Sequence, residues 1–341
     1  MPAEWEPHEA TWLAWPHNSK DWPGKFAPIH WVYTEIIRCL QRHERVSLLV
    51  ENKTWEDRAR RMLAQIDEID LSRIAFHRFS SDRSWLRDTA PTFVKRGASV
   101  AAACWKFNGW AKYVNWKKDA AVGPKIAQAA KARLQEPRLG ARRVVLEGGA
   151  IDVNGCGTLL TTEECLLGEV QQRNPGMTRE QWEQVFAAYL GIRKVLWLGR
   201  GIAGDDTHGH VDDLARFVGP RTIVTVVEND PRDVNFEPLR ENLLRLQRMT
   251  DQDDHLLEIV PLPMPRPIYF QGVRVPASYA NFYIANGIVL VPTFNDPNDR
   301  LALNTLAGVF PDRQVVGIHS VDLVWGFGTL HCATQQQPAK G

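Results

Sequence analysis

The stretch GFGTLHCATQQQPA, from Gly326 to Ala339, is the part of the chain around which the rest is organised. Its glycines, Gly326 and Gly328, permit backbone angles that other residues resist, and they let a ligand or another backbone come close. The spacing predicts a short strand over 330–334, which would hold Cys332 rigidly just past the turn. Cys332 is therefore a candidate nucleophile. The competing interpretation is a buried structural cysteine, because cysteine packs as a small apolar residue.

The composition of the chain limits what it binds. Its 341 residues include 41 lysines and arginines against 40 aspartates and glutamates, so no large field of one sign favours nucleic acid or an acidic membrane surface. A small-molecule partner is expected instead. The five cysteines show neither zinc-site spacing nor the density of a disulfide scaffold, which favours a reducing, cytoplasmic setting. The opening MPAEWEPHEATWLAWP lacks the pattern of a secretory signal, and no apolar run is long enough to span a bilayer.

A unit of strand, helix and strand recurs along the sequence. Apolar residues at helical spacing predict helices over 29–42 and 119–134, and apolar runs predict strands over 46–50 and 142–146. The unit recurs about five times, with a period somewhat longer than that of usual solenoid repeats. Closure of such units into a ring would gather their loop residues at a shared centre.

Two carboxylates, Asp88 and Glu147, occupy positions in the sequence that core packing does not explain. Asp88 lies in the loop WLRDT, and Glu147 precedes two glycines at the predicted end of a strand. Because aspartate and glutamate are seldom buried unpaired, Glu147 points to a ligand or a partner. For Asp88, a surface turn with an Arg-Asp ion pair is an equally acceptable interpretation.

The run DTHGHVDD, over 206–213, carries two histidines and supports two interpretations. In a strand, His208, His210 and Asp212 would share one face and Asp213 would lie on the other, because side chains alternate. Those three could ligate zinc, manganese or iron. The alternative is a metal-free general base, His210, beside a substrate-binding carboxylate, Asp212. The other histidines are scattered along the chain, which favours the metal-free interpretation.

Together, these residues favour guanidine chemistry. The thiol of Cys332 and the imidazole of His210 supply a nucleophile and an acid or base. Nearby carboxylates would raise the pKa of the thiol, so a neutral ester or amide is a poor substrate. A planar guanidinium instead pairs with carboxylates and brings its own positive charge to the thiolate. We therefore expect the pKa of Cys332 to lie near or above the ordinary value of about 8.5 until a guanidinium binds.

The chain resembles the agmatine deiminases, which are grouped with the bacterial-type peptidylarginine deiminases. The motifs that carry the resemblance run from one end of the sequence to the other and include PAEWEPHEATWLAWP, WLRDTAPTFV, LEGGAIDV, GDDTHGHVDDL, ASYANFYIANG and GTLHCATQQQPA. The resemblance implies an α/β fold of the pentein type, a five-bladed α/β propeller with pseudo-fivefold symmetry, formed by a single catalytic domain over 1–341. It also implies a cytoplasmic hydrolase of linear amidines that uses no cofactor and no metal, and it is compatible with a homo-oligomer.

The resemblance further implies a role for each candidate residue. Cys332 would attack the guanidinium carbon, and His210 would protonate the departing ammonia and then activate water. Asp88 and Asp212 would grip the guanidinium, and Glu147 would pair with His210 or with the guanidinium. The implied reaction converts agmatine to N-carbamoylputrescine and ammonia through a covalent amidino-thioether, in putrescine and polyamine biosynthesis.

Departures from the family pattern border the expected pocket and concern the distal part of the substrate. They are His208, Asp213, Phe327 and Thr329. Four alternatives therefore stand beside agmatine deimination. The first is deimination of free or peptidyl arginine or of another alkylguanidine, and the second is amidino transfer to an amine. The third is a metal-dependent hydrolase built on His208, His210 and Asp212, and the fourth is a non-catalytic binding propeller.

Overall fold

The computed structural model describes residues 1–340, in which every larger sheet is built to the same plan. A central strand pairs antiparallel with one neighbour and parallel with the other, and the first sheet carries one further parallel strand. The strands of these five sheets are His8–Ala14, Arg45–Val50, Ile74–Arg78 and Thr334–Pro338; Thr92–Arg96, Ser99–Ala103 and Arg133–Gln135; Asp152–Val153, Thr158–Thr162 and Lys194–Leu198; Ala215–Phe217, Thr222–Val227 and Glu258–Pro263; and Tyr283–Ala285, Ile288–Thr293 and Gln314–His319. Two short hairpins pair Arg138–Leu139 with Arg142–Arg143 and Tyr269–Phe270 with Val273–Arg274.

Helices connect the parallel strands within each sheet, because parallel neighbours need a crossover connection. The α-helices are Phe26–Leu40, Lys53–Leu63, Leu86–Thr89, Lys117–Ala120, Val122–Ala129, Glu163–Leu167, Arg179–Leu190, Phe236–Leu246, Asp299–Val309 and Leu330–Ala333. Short 3₁₀ turns are formed by Leu71–Arg73, Gly148–Ala150, Val211–Asp213 and Leu323–Gly326. None of the helices within residues 1–340 combines the length and the apolar character that crossing a membrane requires.

The helix Arg179–Leu190 shows how local sequence fixes an element. Thr178 and Gln181 form a capping box, in which each side chain accepts a hydrogen bond from the backbone N–H of the other. Gly191 ends the helix in the left-handed region, at φ 71°. Both ends of this helix therefore carry a local sequence signal.

The first sheet joins the two ends of the chain. Thr334–Pro338 pairs antiparallel with His8–Ala14, so the segment that follows Cys332 is held by the N-terminal strand. The side chain of Gln337 accepts a hydrogen bond from the indole N–H of Trp12 at 2.9 Å. The glutamine run is therefore buried structure rather than a loose tail.

Three predicted elements were wrong. The segment 330–334 is not a strand, because Leu330–Ala333 forms a helical turn and the strand begins only at Thr334. The predicted helix over 119–134 is broken, and Lys131 takes a φ of 52° before the chain enters the strand Arg133–Gln135. The predicted strand over 142–146 shrinks to Arg142–Arg143, since Val145 forms only an isolated bridge with Lys106.

Candidate active site

Cys332 lies in the helical turn Leu330–Ala333 and reaches a cavity of about 590 Å³. The amide of Asn281 donates a hydrogen bond to its Sγ atom at 3.1 Å. Burial raises the pKa of the Cys332 thiol well above its ordinary value, and the nearby carboxylates of Asp212, Asp213 and Asp88 raise it further. The direction of this shift agrees with the sequence-based expectation.

His210 is buried between two carboxylates. Its Nε2 atom lies 3.7 Å from Oε2 of Glu147, and its Nδ1 atom lies 3.9 Å from Oδ2 of Asp88. Burial opposes a charged imidazolium, but Asp88 and the contacts with Cys165 and Glu147 outweigh it, so the pKa of His210 lies well above its ordinary value. The ring is therefore suited to carry a proton at neutral pH.

Glu147 is fully buried and is paired with an arginine that sequence reasoning missed. Its Oε1 atom accepts a hydrogen bond from Nε of Arg173 at 3.3 Å. Burial would raise the pKa of Glu147, but Arg173 and His210 together hold it below the ordinary value. Arg173 is itself fixed by the backbone oxygens of Gln171 and Thr207, at 3.0 and 2.5 Å.

Asp88 lies in the short helix Leu86–Thr89 rather than in a surface turn. It accepts hydrogen bonds from the indole N–H of Trp110 at 2.8 Å and from the backbone N–H of Gly149 at 3.0 Å. Burial raises the pKa of Asp88, and His210 only partly offsets that effect. The Arg-Asp ion pair of the alternative interpretation does not form, since Arg87 contacts Glu4 instead.

The glycine pair after Glu147 is explained by crowding. A Cβ atom on Gly149 would lie 2.5 Å from Nδ1 of His210 and 3.1 Å from a carboxylate oxygen of both Asp88 and Asp212. Any larger residue at this position would push these side chains apart. Gly149 therefore lets residues from distant parts of the chain meet.

The 206–213 segment does not form a strand. Val211–Asp213 is a 3₁₀ turn, so Asp212 and Asp213 both come near Cys332 instead of lying on opposite faces. Burial would raise the pKa of Asp212, but a hydrogen bond from His331 outweighs it and the pKa lies below the ordinary value. Burial and the neighbouring Asp212 raise the pKa of Asp213 well above that value.

His208 is separated from the other predicted metal ligands. Its φ is 64°, and its Nε2 atom lies 3.7 Å from Glu164. Within residues 1–340, two groups of three residues bring possible ligand atoms within 4.8 Å of one another. The first group is Glu147, Cys165 and His210, and the second is Asp212, Asp213 and Cys332. The geometry therefore gives no support to a metal set of His208, His210 and Asp212.

Several buried polar atoms in this region have no hydrogen-bond partner among residues 1–340. They include Oε2 of Glu147, Nε2 of His210 and Oδ1 of Asp212. Buried polar atoms are normally paired, so a cluster of unpaired ones beside a cavity indicates a place for a ligand. Oδ1 of Asp212 favours a ligand that donates hydrogen bonds, whereas Oε2 of Glu147 lies 3.3 Å from Nε of Arg173 and 3.7 Å from Nε2 of His210.

Five polar residues of the active site occupy the same position relative to the five sheets. Each precedes, by a few residues, the strand that pairs antiparallel in its sheet. They are Asp88, Glu147, Asp212, Asn281 and Cys332. The repeated position explains how residues far apart in the sequence come together.

The whole chain matches one protein family. Residues 1–338 match the family described as Porphyromonas-type peptidyl-arginine deiminase. The chain belongs to this family. It is 36% identical over 374 residues to an agmatine deiminase of Medicago truncatula, with 99% of this chain and 96% of that protein covered. It is 35% identical over 363 residues to an agmatine deiminase of Pseudomonas fluorescens, with 99% and 95% covered.

A solved structure supports the same relationship. The agmatine deiminase of Enterococcus faecalis superimposes with a TM-score of 0.90 at 32% identity, covering 100% of this chain and 96% of that one. The α/β fold of this Porphyromonas-type family member is accordingly that of the pentein superfamily.

The outer cavity of this family member is lined by aromatic and charged side chains. Trp85, Trp110, Tyr113, Trp325 and Phe327 supply the aromatic wall, and the charged groups are Lys20, Asp21, Arg83 and Asp206. Asp206 is already engaged by the ammonium of Lys112 and by the hydroxyl of Tyr113. Burial raises the pKa of Asp21 from 3.8 to about 7, although Arg83 opposes the shift.

Sequence reasoning missed residues that hold the reactive group in place. Asn281, which binds Cys332, lies in the motif ASYANFYIANG, and no role was assigned to it from the sequence. His331 precedes Cys332 but was not recognised as a partner of Asp212. Glu4 and Arg173 had no sequence signal of their own.

Proposed function

We propose that this protein is a hydrolase that deiminates agmatine to N-carbamoylputrescine and ammonia. The observation that carries the proposal is the unpaired, buried Oδ1 atom of Asp212, a carboxylate whose Oδ2 atom lies 3.6 Å from the sulfur of Cys332. A guanidinium is a planar cation with five N–H donors, and it would satisfy that acceptor. The full-length relatives that are named agmatine deiminases support agmatine as the guanidine.

The chemistry begins with the cation. A guanidinium that pairs with Asp88 and Asp212 offsets the negative charge that raises the pKa of Cys332. The thiol then releases its proton to solvent, which leaves the thiolate beside the central carbon of the guanidinium. The thiolate adds to that carbon and gives a tetrahedral adduct. His210 donates its proton to one terminal nitrogen, the C–N bond breaks and ammonia departs, which leaves an amidino-thioether.

Water completes the cycle. His210, now neutral, removes a proton from a water molecule that attacks the amidino carbon. The C–S bond then breaks, and the remaining hydroxyl proton passes to the departing sulfur, which restores the Cys332 thiol. The product is a substituted urea, N-carbamoylputrescine, and the net reaction consumes one water and releases one ammonia. Glu147 stabilises the charged form of His210 in the first half and remains ionised because Arg173 pairs with it.

We also propose that the five sheets are the blades of a five-bladed propeller with pseudo-fivefold symmetry. Their common plan of one antiparallel and one parallel pairing supports it, and so does the recurrence of a central polar residue shortly before the antiparallel strand of each sheet. Residues 1–341 then form a single catalytic domain. A cytoplasmic location, the absence of nucleic-acid and membrane partners and a homo-oligomer remain predictions.

A second candidate, deimination of free arginine, is favoured by one observation. Lys20 and Arg83 line the outer cavity and would suit the carboxylate of an amino acid. Two nitrogens of Arg83 are already engaged by Asn115, and its Nε atom lies 4.0 Å from Asp21, so less of its charge is available. Agmatine, which has an ammonium and no carboxylate, therefore remains the leading substrate.

The test is a substrate panel with purified protein. Ammonia and the urea product are measured with agmatine, free arginine, a peptidyl arginine and n-butylguanidine, with and without an added amine acceptor and an excess of chelator. We expect turnover of agmatine that persists in chelator, yields the urea rather than an amidino-transfer product, and disappears in Cys332→Ala. Unchanged turnover in Cys332→Ala would exclude the mechanism, and a preference for arginine would favour the second candidate.

A further inference from the structure

His331 lies between two carboxylates. Its Nδ1 atom is 2.7 Å from Oδ2 of Asp212, and its Nε2 atom is 2.9 Å from Oε2 of Glu4. All three side chains are buried, so water does not compete for these contacts. A neutral imidazole carries one N–H and one lone pair, and an ionised carboxylate only accepts. Both contacts are therefore hydrogen bonds only if the set of three holds one additional proton.

Glu4 is firmly fixed at the far end of this set. Its Oε1 atom accepts a hydrogen bond from the backbone N–H of Ile284 at 2.8 Å and lies 2.9 Å from Nη2 of Arg216. Nη2 of Arg87 donates to Oε2 at 3.3 Å. Burial would raise the pKa of Glu4, but Arg216 and His331 hold it well below the ordinary value. Glu4 is thus an ionised acceptor that belongs to the N-terminal segment and reaches the active centre.

The two oxygens of Asp212 differ as a result. Oδ2 is occupied by His331 and lies 3.6 Å from the Cys332 sulfur, whereas Oδ1 is buried and has no hydrogen-bond partner among residues 1–340. His331 therefore determines how the carboxylate is rotated and leaves Oδ1 available to a ligand. The other charged or titratable groups around the set are Arg87, Asp88, Asp152, His210, Asp213, Arg216, Tyr283 and Cys332.

We propose that Glu4 is a positioning residue for the deimination reaction, acting through His331 to keep Asp212 unprotonated and to direct its free oxygen at the guanidinium. Glu4 does not line the 590 Å³ cavity, and the side chain that joins it to Asp212 is the imidazole of His331. The kinetic part of the inference rests on the proposed function. The shared proton does not, because it is inferred from the two contacts of His331.

The first test is Glu4→Gln, which keeps the size of the side chain and removes its charge. Without the charge of Glu4, the imidazole of His331 loses the additional proton. Asp212 then has no cationic neighbour at this position, so the pKa of Asp212 rises. We expect the acid limb of kcat/KM for agmatine to move to higher pH, and each unit of movement lowers the acid-limb rate about tenfold. At alkaline pH, kcat should stay near the wild-type value while KM rises.

Glu6→Gln is the matched control. Glu6 belongs to the same segment and accepts from the backbone N–H of Ala3 at 2.9 Å, but it does not contact His331. Glu6→Gln should leave the pH profile of kcat/KM unchanged. Glu4→Asp, which keeps the charge, should move the acid limb of that profile less than Glu4→Gln does. An unshifted acid limb in folded Glu4→Gln would overturn the proposal.

A second measurement covers the case in which Glu4→Gln fails to fold. His331→Asn can still donate to Asp212 but cannot carry a proton between two carboxylates, and it leaves Glu4 paired with Arg87 and Arg216. It should show the same shift of the acid limb. In wild-type protein with labelled histidine, assigned with this variant, we expect NMR to show hydrogen on both ring nitrogens of His331.

The two proposals fail in different ways. Wild-type protein that does not turn over agmatine or any other guanidine would overturn the proposed function, and with it the kinetic role of Glu4. A single N–H on His331 in wild type would overturn the shared proton whatever the substrate is. Active wild-type enzyme with unshifted variants would overturn the positioning role alone.

Discussion

The Sγ atom of Cys332 lies 3.6 Å from the Oδ2 atom of Asp212. The thiol therefore faces a carboxylate, and its other hydrogen-bonding partner within residues 1–340 is the amide of Asn281 rather than an imidazole. A thiol in this setting holds its proton, since a thiolate would add negative charge to an acidic group of side chains. The arrangement makes the nucleophile dependent on a cation that only a ligand brings.

The first prediction is that a guanidinium lowers the pKa of Cys332. Thiolate absorbance is titrated with pH in a Cys156→Ser background, which removes the exposed cysteine, with and without guanidinium ion at constant ionic strength. The titration that disappears in a further Cys332→Ser variant should move to lower pH when guanidinium is present. Tetramethylammonium, which cannot donate hydrogen bonds, should move it less. Identical curves with and without guanidinium would contradict the mechanism.

A second prediction concerns the indole that donates to Asp88. Trp110→Phe removes a hydrogen bond of 2.8 Å to this buried carboxylate, and such bonds to charged groups are worth about 1.5 kcal/mol or more. We expect kcat/KM for agmatine to fall about tenfold or more. Trp105→Phe is the control, because its indole donates only to Thr92 at 3.1 Å. Equal losses in both variants would show that packing, not the hydrogen bond, is responsible.

The residues that could be predicted are those with a strong local signal. Cys332, His210 and Glu147 stand beside glycines, turns or strand ends, where chemistry-bearing side chains have no packing role, and the structure brings them together with Asp88 and Asp212. The caps of regular helices could be predicted for the same reason. The capping box at Thr178 involves only residues close in sequence.

What could not be predicted depends on contacts between distant residues. The turn Leu330–Ala333 is helical rather than extended because Oδ1 of Asn281 accepts from the backbone N–H of His331 at 3.0 Å and from that of Cys332 at 3.3 Å. The prediction of a strand with alternating side chains over 206–213 failed. The backbone of His208 is in the left-handed region, which turns the chain before the 3₁₀ turn Val211–Asp213 begins. No local pattern carries such information.

A third prediction addresses the far end of the substrate. Asp21 lines the outer cavity, and one of its oxygens is buried without a hydrogen-bond partner among the described residues, so Asp21 is the acidic group most available to a distal ammonium. Asp21→Asn should raise KM for agmatine about tenfold, the effect of one lost ion pair worth about 1.4 kcal/mol. KM for n-butylguanidine, which has the same chain without the ammonium, should not change.

The pH dependence of this discrimination follows from the same carboxylate. With a pKa of about 7, Asp21 is neutral at lower pH and ionised at higher pH. The preference of wild-type enzyme for agmatine over n-butylguanidine should therefore grow as pH rises through about 7, and Asp21→Asn should abolish that trend. A preference that is independent of pH in both proteins would place the ammonium elsewhere.

The last prediction separates two adjacent aspartates. The pKa of Asp213 lies well above its ordinary value because of burial and Asp212, so the folded state favours the protonated acid. A raised folded-state pKa means that this group contributes most at low pH, and the contribution is lost as pH rises from the ordinary value toward the raised one. Asp213→Asn has no such proton to lose, and its amide oxygen can still accept from Nδ2 of Asn281, which lies 3.0 Å from Oδ1 of Asp213. The free energy of unfolding of Asp213→Asn in urea should therefore exceed that of wild type by a margin that grows with pH, while turnover persists.

Asp212→Asn should instead abolish turnover, because it removes the ionised carboxylate beside Cys332. Loss of activity in Asp213→Asn, or a stability difference that does not vary with pH, would contradict this assignment of the two charges.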